Sequence, residues 1–217
     1  MKKFLLKHTK PKFWFLNQHI KKGFNIKHIL DVGIQNNSIC ELRLLTSKST
    51  LHGLDLVYSD ASKLCDHFYC TDLNINTFET KQKFDFIIVN HVLEHLHDPT
   101  TAVCNFIKCA SDETAIFLEF PNINALKHKQ RLIGYHFHDD DTHFQVPNEI
   151  EIINLLLQNN FKIAHAGTFF KLRKFILGIV RIPFYALTGK SLNGLFAASS
   201  GKITTIFAYR SRIHYKN

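Results

Sequence analysis

Six titratable side chains fall within eight consecutive positions of an otherwise basic chain: His136, His138, Asp139, Asp140, Asp141 and His143. A histidine titrates near neutral pH, and a carboxylate beside it can orient it, so such a pair can take a proton from a hydroxyl. Three carboxylates among imidazoles would also permit a magnesium or manganese ion that binds two hydroxyls of a ligand and acidifies one. A solvated turn is the third reading, because loop carboxylates usually face water. A second set of polar residues stands where apolar runs end: Asp31 with Gly33, then Asp55, Asp72, and Asn90 with His91. Asp55 follows Asp31 by 24 residues, close to the offset at which an acidic side chain receives ribose hydroxyls in dinucleotide folds. Turn residues favour strand ends in any case, so the weight lies on the set of four ends rather than on any one.

The elements that must position these residues are legible from periodicity. Short β-branched and aromatic runs at 28–33, 50–56, 67–72, 84–90 and 114–120 alternate with helical patterns near 38–47, 59–67 and 98–110. That alternation predicts an α/β fold with helices on both faces of a mostly parallel sheet. Asp98-Pro99 reads as the cap and first-turn proline of the third helix, and Ala102, Val103, Phe106, Ile107 and Ala110 fall on its sheet-facing side. A helix starting at Pro147 is expected to turn Ile153, Leu156 and Leu157 inward. Runs at 161–170 and 202–211 read as two closing strands, an antiparallel hairpin at the sheet edge. In an open sheet of this kind, ligands sit beyond the carboxyl ends of the strands, where every residue of the second set lies.

Length and composition bound the answer. A chain of 217 residues with 45% hydrophobic and 21% charged content can bury one sizeable core. One domain over 1–217 is expected, with a basic helical extension at 1–27, a substrate-side loop at 121–145 and an apolar basic insertion at 171–201. The five cysteines, Cys40, Cys65, Cys70, Cys104 and Cys109, include no C-x-x-C pair, and the first residues carry too few apolar positions for a leader. A reducing cytoplasm is the expected compartment, and no zinc site or disulfide framework is implied. The net charge of +9 is spread along the chain rather than set in a stripe with aromatics, so nucleic acid is not indicated as a partner. The apolar stretch at 174–189 is broken by Arg181 and Pro183 before it could span a bilayer. It reads first as a buried helix and turn, with peripheral contact of 171–189 at the inner face of a membrane as the alternative.

The first loop, "ILDVGIQNNSICEL" (29–42), opens like a nucleotide-binding turn yet carries Gln35 and Asn37 where further glycines would stand. Asn36 and Asn37 tolerate left-handed geometry. Ser38 and Glu41 form the pattern of a capping box, so a turn and a helix start are expected without glycine.

These residues resemble the class I S-adenosylmethionine-dependent methyltransferases, in the branch that acts on small molecules and glycans. "ILDVG" resembles the family's first motif, "LHGLDL" its ribose-binding strand end and "CTDLN" its adenine-contacting segment. "FDFIIVNHVLEHLHDP" resembles its fourth strand and following signature. The resemblance implies a Rossmann-like seven-stranded sheet, mostly parallel with an antiparallel edge strand. It implies S-adenosylmethionine as cofactor, with Asp31, Gly33, Asn90 and His91 on the methionine side, Asp55 on the ribose, and Leu56, Asp72 and Leu73 around the adenine. The loss of glycines and the replacement of the usual Pro-Gly-Gly turn before the fifth strand by "CASDETA" are departures from the pattern. The segment 136–147 also resembles enzymes of bacterial polysaccharide and sugar biosynthesis.

On that reading, O-methylation of a sugar or other small hydroxylated acceptor is expected. His143 oriented by Asp140 takes the acceptor's proton, His138 lines the same pocket and His91 is the fallback base. Glu94 and His95 order the loop, and no metal ligand is assigned. The alternatives are a methyltransferase-like binding protein without turnover, supported by the altered loop, and an RNA methyltransferase, supported only by charge. The oligomeric state is not legible.

Overall fold

The computed structural model describes residues 10–126, 136–168 and 201–210, together with Leu187. Its framework is a seven-stranded sheet of β1 (His28–Val32), β2 (Thr50–Asp55), β3 (His67–Cys70), β4 (Phe84–Asn90), β5 (Ala110–Pro121), β6 (Lys162–Gly167) and β7 (Ile203–Tyr209). The order across the sheet is β3-β2-β1-β4-β5-β7-β6. The pairings from β3 to β5 are parallel, and β7 runs antiparallel to both β5 and β6. The antiparallel strand therefore lies one place in from the edge, and the closing hairpin has the form its sequence predicts.

The central strands are apolar on both faces because helices cover both. Leu30, Ile87, Val89, Ile116 and Leu118 point into one core with Val103 and Phe106 of α3 (Pro99–Lys108) and Ile152 and Leu156 of α4 (Glu149–Gln158). The alternate positions Ile29, Phe86, Ile88 and Phe117 point into a second core. There they meet Phe13, Phe15 and Leu16 of α1 (Pro11–Lys21) and Ile39 and Leu42 of α2 (Asn36–Leu45). This is the period-two alternation of a strand with two buried sides. The edge strand β6 instead alternates exposed and half-buried positions.

Several boundaries differ from the sequence pattern. The predicted helix at 59–67 is only a short 3-10 turn, Ser62–Leu64, because the Ser62 hydroxyl bonds the Ser59 carbonyl and amide and competes with helical pairing. The last helix begins at Glu149 rather than Pro147. Asn148 caps it through the amides of Ile150 and Glu151, and with Ile152 and Leu156 on its buried side Leu157 faces outward at 51% exposure. The segment expected as a glycine-free turn before the fifth strand is the start of β5 itself. Thr114 Oγ1 donates to the Phe84 carbonyl at 2.5 Å and Ser111 Oγ to Asp85 at 3.2 Å, across a register shift between Phe84 and Phe86. Among the described residues no helix is long and apolar enough to cross a membrane. Of the insertion at 171–201, only Leu187 and Gly201 fall among them.

Candidate functional site

The first loop turns on Gly33, whose φ of +72° is the left-handed conformation that L side chains avoid. A Cβ there would lie 2.4 Å from Val92 Cγ2. The glycine thus makes room for the segment that follows β4, so the loops after β1 and β4 close on each other. Asn36 and Asn37 need no left-handed geometry, because α2 begins at Asn36 after an extended Gln35.

The capping box is not formed. Ser38 lies inside α2, buried, and donates to Asp31 Oδ2 at 3.0 Å, while Glu41 pairs with Lys10 at 2.9 Å. A third group completes the contact: Lys12 Nζ donates to Ser38 Oγ at 2.6 Å and stands 3.7 Å from Asp31 Oδ1. Asp31 is 1% exposed. Burial raises its pKa, and Lys12 and the Ser38 hydroxyl oppose that rise. The loop is therefore held by a buried lysine–serine–aspartate chain reaching in from α1, and the Asp31 carboxylate is enclosed rather than open to a ligand.

The second and third strand ends are more accessible. Asp55 ends β2 half-buried, with Oδ1 accepting from the Leu56 amide at 2.7 Å. Leu56, Val57 and Tyr58 follow it with 58%, 59% and 74% of their surface exposed, an apolar run at a rim where water would not retain it without use. Asp72 lies two residues beyond β3 and accepts from the Asn74 amide at 2.9 Å, with Leu73 tucked against the core. Asn74 then ties this loop to the one after β4, donating to the His95 carbonyl at 3.0 Å and accepting from the His97 amide at 2.8 Å.

At the fourth strand end Asn90 is half-buried and His91 adopts φ +55°, an uncommon conformation for a side chain of its size. Its amide donates to the Glu119 carbonyl at 2.8 Å. Its ring lies between two carboxylates, Nδ1 at 3.0 Å from Glu94 Oε1 and Nε2 at 3.5 Å from Glu119 Oε1. Burial pulls its pKa down, but the bonds to Glu119 and Glu94 outweigh this and hold it at about 10. A ring that keeps its proton at neutral pH is not a base, which removes His91 from that role.

The acidic–histidine segment docks onto the loop after β4. Phe144 donates its amide to the Glu94 carbonyl at 2.9 Å, Gln145 Nε2 to the His97 carbonyl at 2.6 Å, and Thr142 Oγ1 lies 2.9 Å from His95 Nδ1. Within the segment the roles separate. His136 and Asp139 cap the turn Phe137–Asp139 reciprocally, and Asp140 accepts from the Thr142 amide and hydroxyl at 2.9 and 2.5 Å, which lowers its pKa. His143 Nδ1 stands 2.6 Å from the Phe137 carbonyl, and its Nε2 is 3.8 Å from Asp140 Oδ2. The group that orients His143 is thus a main-chain carbonyl, with Asp140 beyond hydrogen-bond reach. His138 is exposed and packs beside His136 and Phe137.

Two residues of this region are not singled out by sequence spacing. Lys12 carries a readable signal, since with Phe13, Leu16 and His19 it occupies the buried side of α1, where an unpaired lysine is rare. Glu119 stands inside the apolar end of β5 with 13% of its side chain exposed.

A family model described as a methyltransferase domain matches residues 9–166. No curated protein matches the chain in sequence. Among solved structures, it is similar to an S-adenosylmethionine-dependent methyltransferase from Archaeoglobus fulgidus, with TM-score 0.57 and 16% identity over 95% of this chain and 98% of that one. It is also similar to the N-methyltransferase NodS from Bradyrhizobium japonicum in complex with S-adenosylhomocysteine, at TM-score 0.55 and 14% identity over 95% and 91% of the two chains. A third is the 1,6-didemethyltoxoflavin N1-methyltransferase of Burkholderia thailandensis, at TM-score 0.54 and 12% identity over 91% and 76%.

Proposed function

The chain belongs to the methyltransferase-domain family, and from that premise we propose that it transfers the methyl group of S-adenosylmethionine to a hydroxyl of a sugar or other small hydroxylated acceptor. The observation that carries the reading is the docking of the polar 136–145 segment against the fourth strand end, beside strand ends bearing Asp55, Asp72 and Asn90. The residues present fit the cofactor at the second and third strands. A half-buried carboxylate with one committed oxygen suits a ribose diol, and the exposed Leu56, Val57 and Tyr58 suit an adenine. At the first strand the fit is partial, because Asp31 is enclosed by Ser38 and Lys12.

Bound there, the cofactor supplies an electrophilic methyl on a sulfonium. The chain's own part is to orient: Asp55 accepts from the ribose, Leu56 and Leu73 flank the base, and Asp72 meets its amine. Glu94 and Glu119 on either side of the His91 ring fix its orientation at that corner. The cofactor would supply the methyl to the acceptor oxygen and depart as the neutral thioether, and the hydroxyl proton would pass to water at the exposed residues 138–142. Most of the acceleration in such a displacement comes from alignment of acceptor, methyl and sulfur. The tautomers of His95 and His143, fixed by main-chain carbonyls, serve that alignment. The supports for a sugar as acceptor are the density of hydrogen-bonding groups on this wall and the resemblance of 136–147 to polysaccharide-pathway enzymes.

A second reading, a binding protein without turnover, is favoured by the ammonium already seated beside Asp31. Calorimetry with S-adenosylmethionine, followed by measurement of S-adenosylhomocysteine with a panel of nucleotide sugars and oligosaccharides, decides between them. No heat at millimolar ligand overturns the cofactor assignment. Binding without product from any hydroxylated acceptor overturns the acceptor class.

A further inference from the structure

We propose that Glu94, His95 and His143 form a binding site for a divalent transition-metal ion of the zinc type. Glu94 and His95 come from the turn Leu93–His95 that follows β4, and His143 from the segment that follows β5. One ligand atom from each, two imidazole nitrogens and a carboxylate oxygen, lie within 4.8 Å of one another. The two rings are 4.7 Å apart between centroids.

The hydrogen-bond pattern around the cluster is that of a ligand set. The Thr142 hydroxyl spends its proton on Asp140 Oδ1 at 2.5 Å, so toward His95 Nδ1, at 2.9 Å, it can only accept. The Thr142 carbonyl, 3.2 Å from the same nitrogen, also only accepts. Nδ1 of His95 therefore carries the hydrogen, which leaves Nε2 with the lone pair. The Phe137 carbonyl, 2.6 Å from His143 Nδ1, fixes the same tautomer there. An imidazole that donates Nδ1–H to a carbonyl and offers Nε2 is the usual form of a metal-ligating histidine.

Glu94 supplies the independent observation. It is 1% exposed, its Oε1 takes His91 Nδ1 at 3.0 Å, and its Oε2 is buried with no hydrogen-bond partner among the described residues. An orphaned carboxylate oxygen in the interior is costly and calls for an ion or water. A main-chain bond from the Phe144 amide to the Glu94 carbonyl and a bond from the Gln145 side-chain amide to the His97 carbonyl hold the two contributing segments together.

Two imidazoles with one carboxylate suit zinc and its neighbours rather than magnesium, which takes oxygen ligands. Bonds of about 2.0–2.1 Å in a tetrahedron set ligand atoms about 3.4 Å apart, so binding draws the 136–145 segment toward the turn after β4. Three protein ligands leave a fourth position open. That a hydroxyl of the acceptor takes that position rests on the function proposed above; the cation site itself does not.

The test uses the full chain stripped with EDTA, titrated with zinc by calorimetry and with cobalt by visible absorption. The expected result is one zinc bound at micromolar affinity or tighter, with cobalt d–d bands and without the sulfur charge-transfer band that coordination by any of the free cysteines would add. His95→Ala and His143→Ala should each weaken zinc binding at least tenfold, with thermal melting checked for folding, while His67→Ala leaves it unchanged. Wild-type protein that binds no zinc, or folded His95→Ala and His143→Ala variants that bind it as wild type does, overturns the site. S-adenosylmethionine titrated into the same samples separates the two readings. Cofactor binding without zinc binding sinks the metal site alone, and zinc binding without cofactor binding sinks the proposed function alone.

Discussion

Lys12→Met removes the cation from beneath the first loop and leaves Asp31, 1% exposed, with Ser38 alone. At 3.7 Å and an effective dielectric of about 20, the gross attraction between the two charges is about 4 kcal/mol. Truncating one partner of a buried pair costs roughly 3–5 kcal/mol, because the other charge stays buried. The ammonium reaches Asp31 chiefly through the Ser38 hydroxyl, so the lower end, about 3 kcal/mol, is expected, or a melting point lower by roughly 6–12 °C for a chain of this size. Asp31→Asn strands the ammonium instead, and the double variant should lose about 1–3 kcal/mol less than the sum of the singles. Urea unfolding of the four proteins, followed by circular dichroism, measures that coupling. The pH dependence adds a signed check. Burial raises the Asp31 pKa, so its ionised form disfavours the folded state, and the penalty is relieved as pH falls through the raised value. Losing Lys12 raises that value further, so the stability gap between Lys12→Met and wild type should narrow on mild acidification. A coupling below about 0.5 kcal/mol, or a gap that widens in acid, would refute the assignment of this chain of contacts as what holds the loop.

Burial pulls His19 and His52 down to a pKa of about 4. Their contribution is fully present above the unfolded value near 6.5 and is lost as pH falls toward 4, on the order of 3 kcal/mol each at most; His52→Leu should flatten that loss in melting curves between pH 7 and 4.5, and an unchanged slope would count against it. Gly33→Ala should cost roughly 2–4 kcal/mol, from the left-handed φ and the contact with Val92. Val92→Ala should recover the contact part and not the φ part. Asp55→Ala should weaken S-adenosylmethionine at least tenfold in calorimetry, since a charge-assisted bond contributes roughly 1.5–3 kcal/mol, with melting temperature nearly unchanged because among the described residues the carboxylate bonds only the adjacent amide.

The sheet and its four strand ends were legible because burial on both faces writes an unbroken apolar run, and such runs end in polar turn residues whatever the loops do. The helix at 59–67 was misread because its composition allows a helix while Ser62 bonds its own turn instead. Ser38 was misread for the opposite reason: its spacing to Glu41 matches a cap, but a buried acid seven residues earlier in the chain competes for the hydroxyl. The second partner of each, Lys12 for that acid and Glu119 for His91, comes from α1 or β5, and local spacing carries no record of it. His143 is expected in a segment after the fifth strand with Asp140 to orient it, but the group beside its Nδ1 is the Phe137 main-chain carbonyl, which no side-chain pattern can reveal.

The position of β7 between β5 and β6 also sets an order of events during synthesis. Residues 162–167 leave the ribosome before 203–209, yet β6 has no strand to pair with until the later segment arrives. The exposed side of β5 waits equally long. Phe15 of α1, made near the start, stacks on Phe207 of β7 at 4.7 Å, so an early helix docks fully only against a late strand. The nascent chain therefore carries an unpaired strand edge from the completion of β5 until β7 emerges, and an aromatic face of α1 without its late partner for longer. Such surfaces invite aggregation or chaperone capture. Expression yield should accordingly respond more to translation rate and chaperone supply than the stability of the finished fold would suggest.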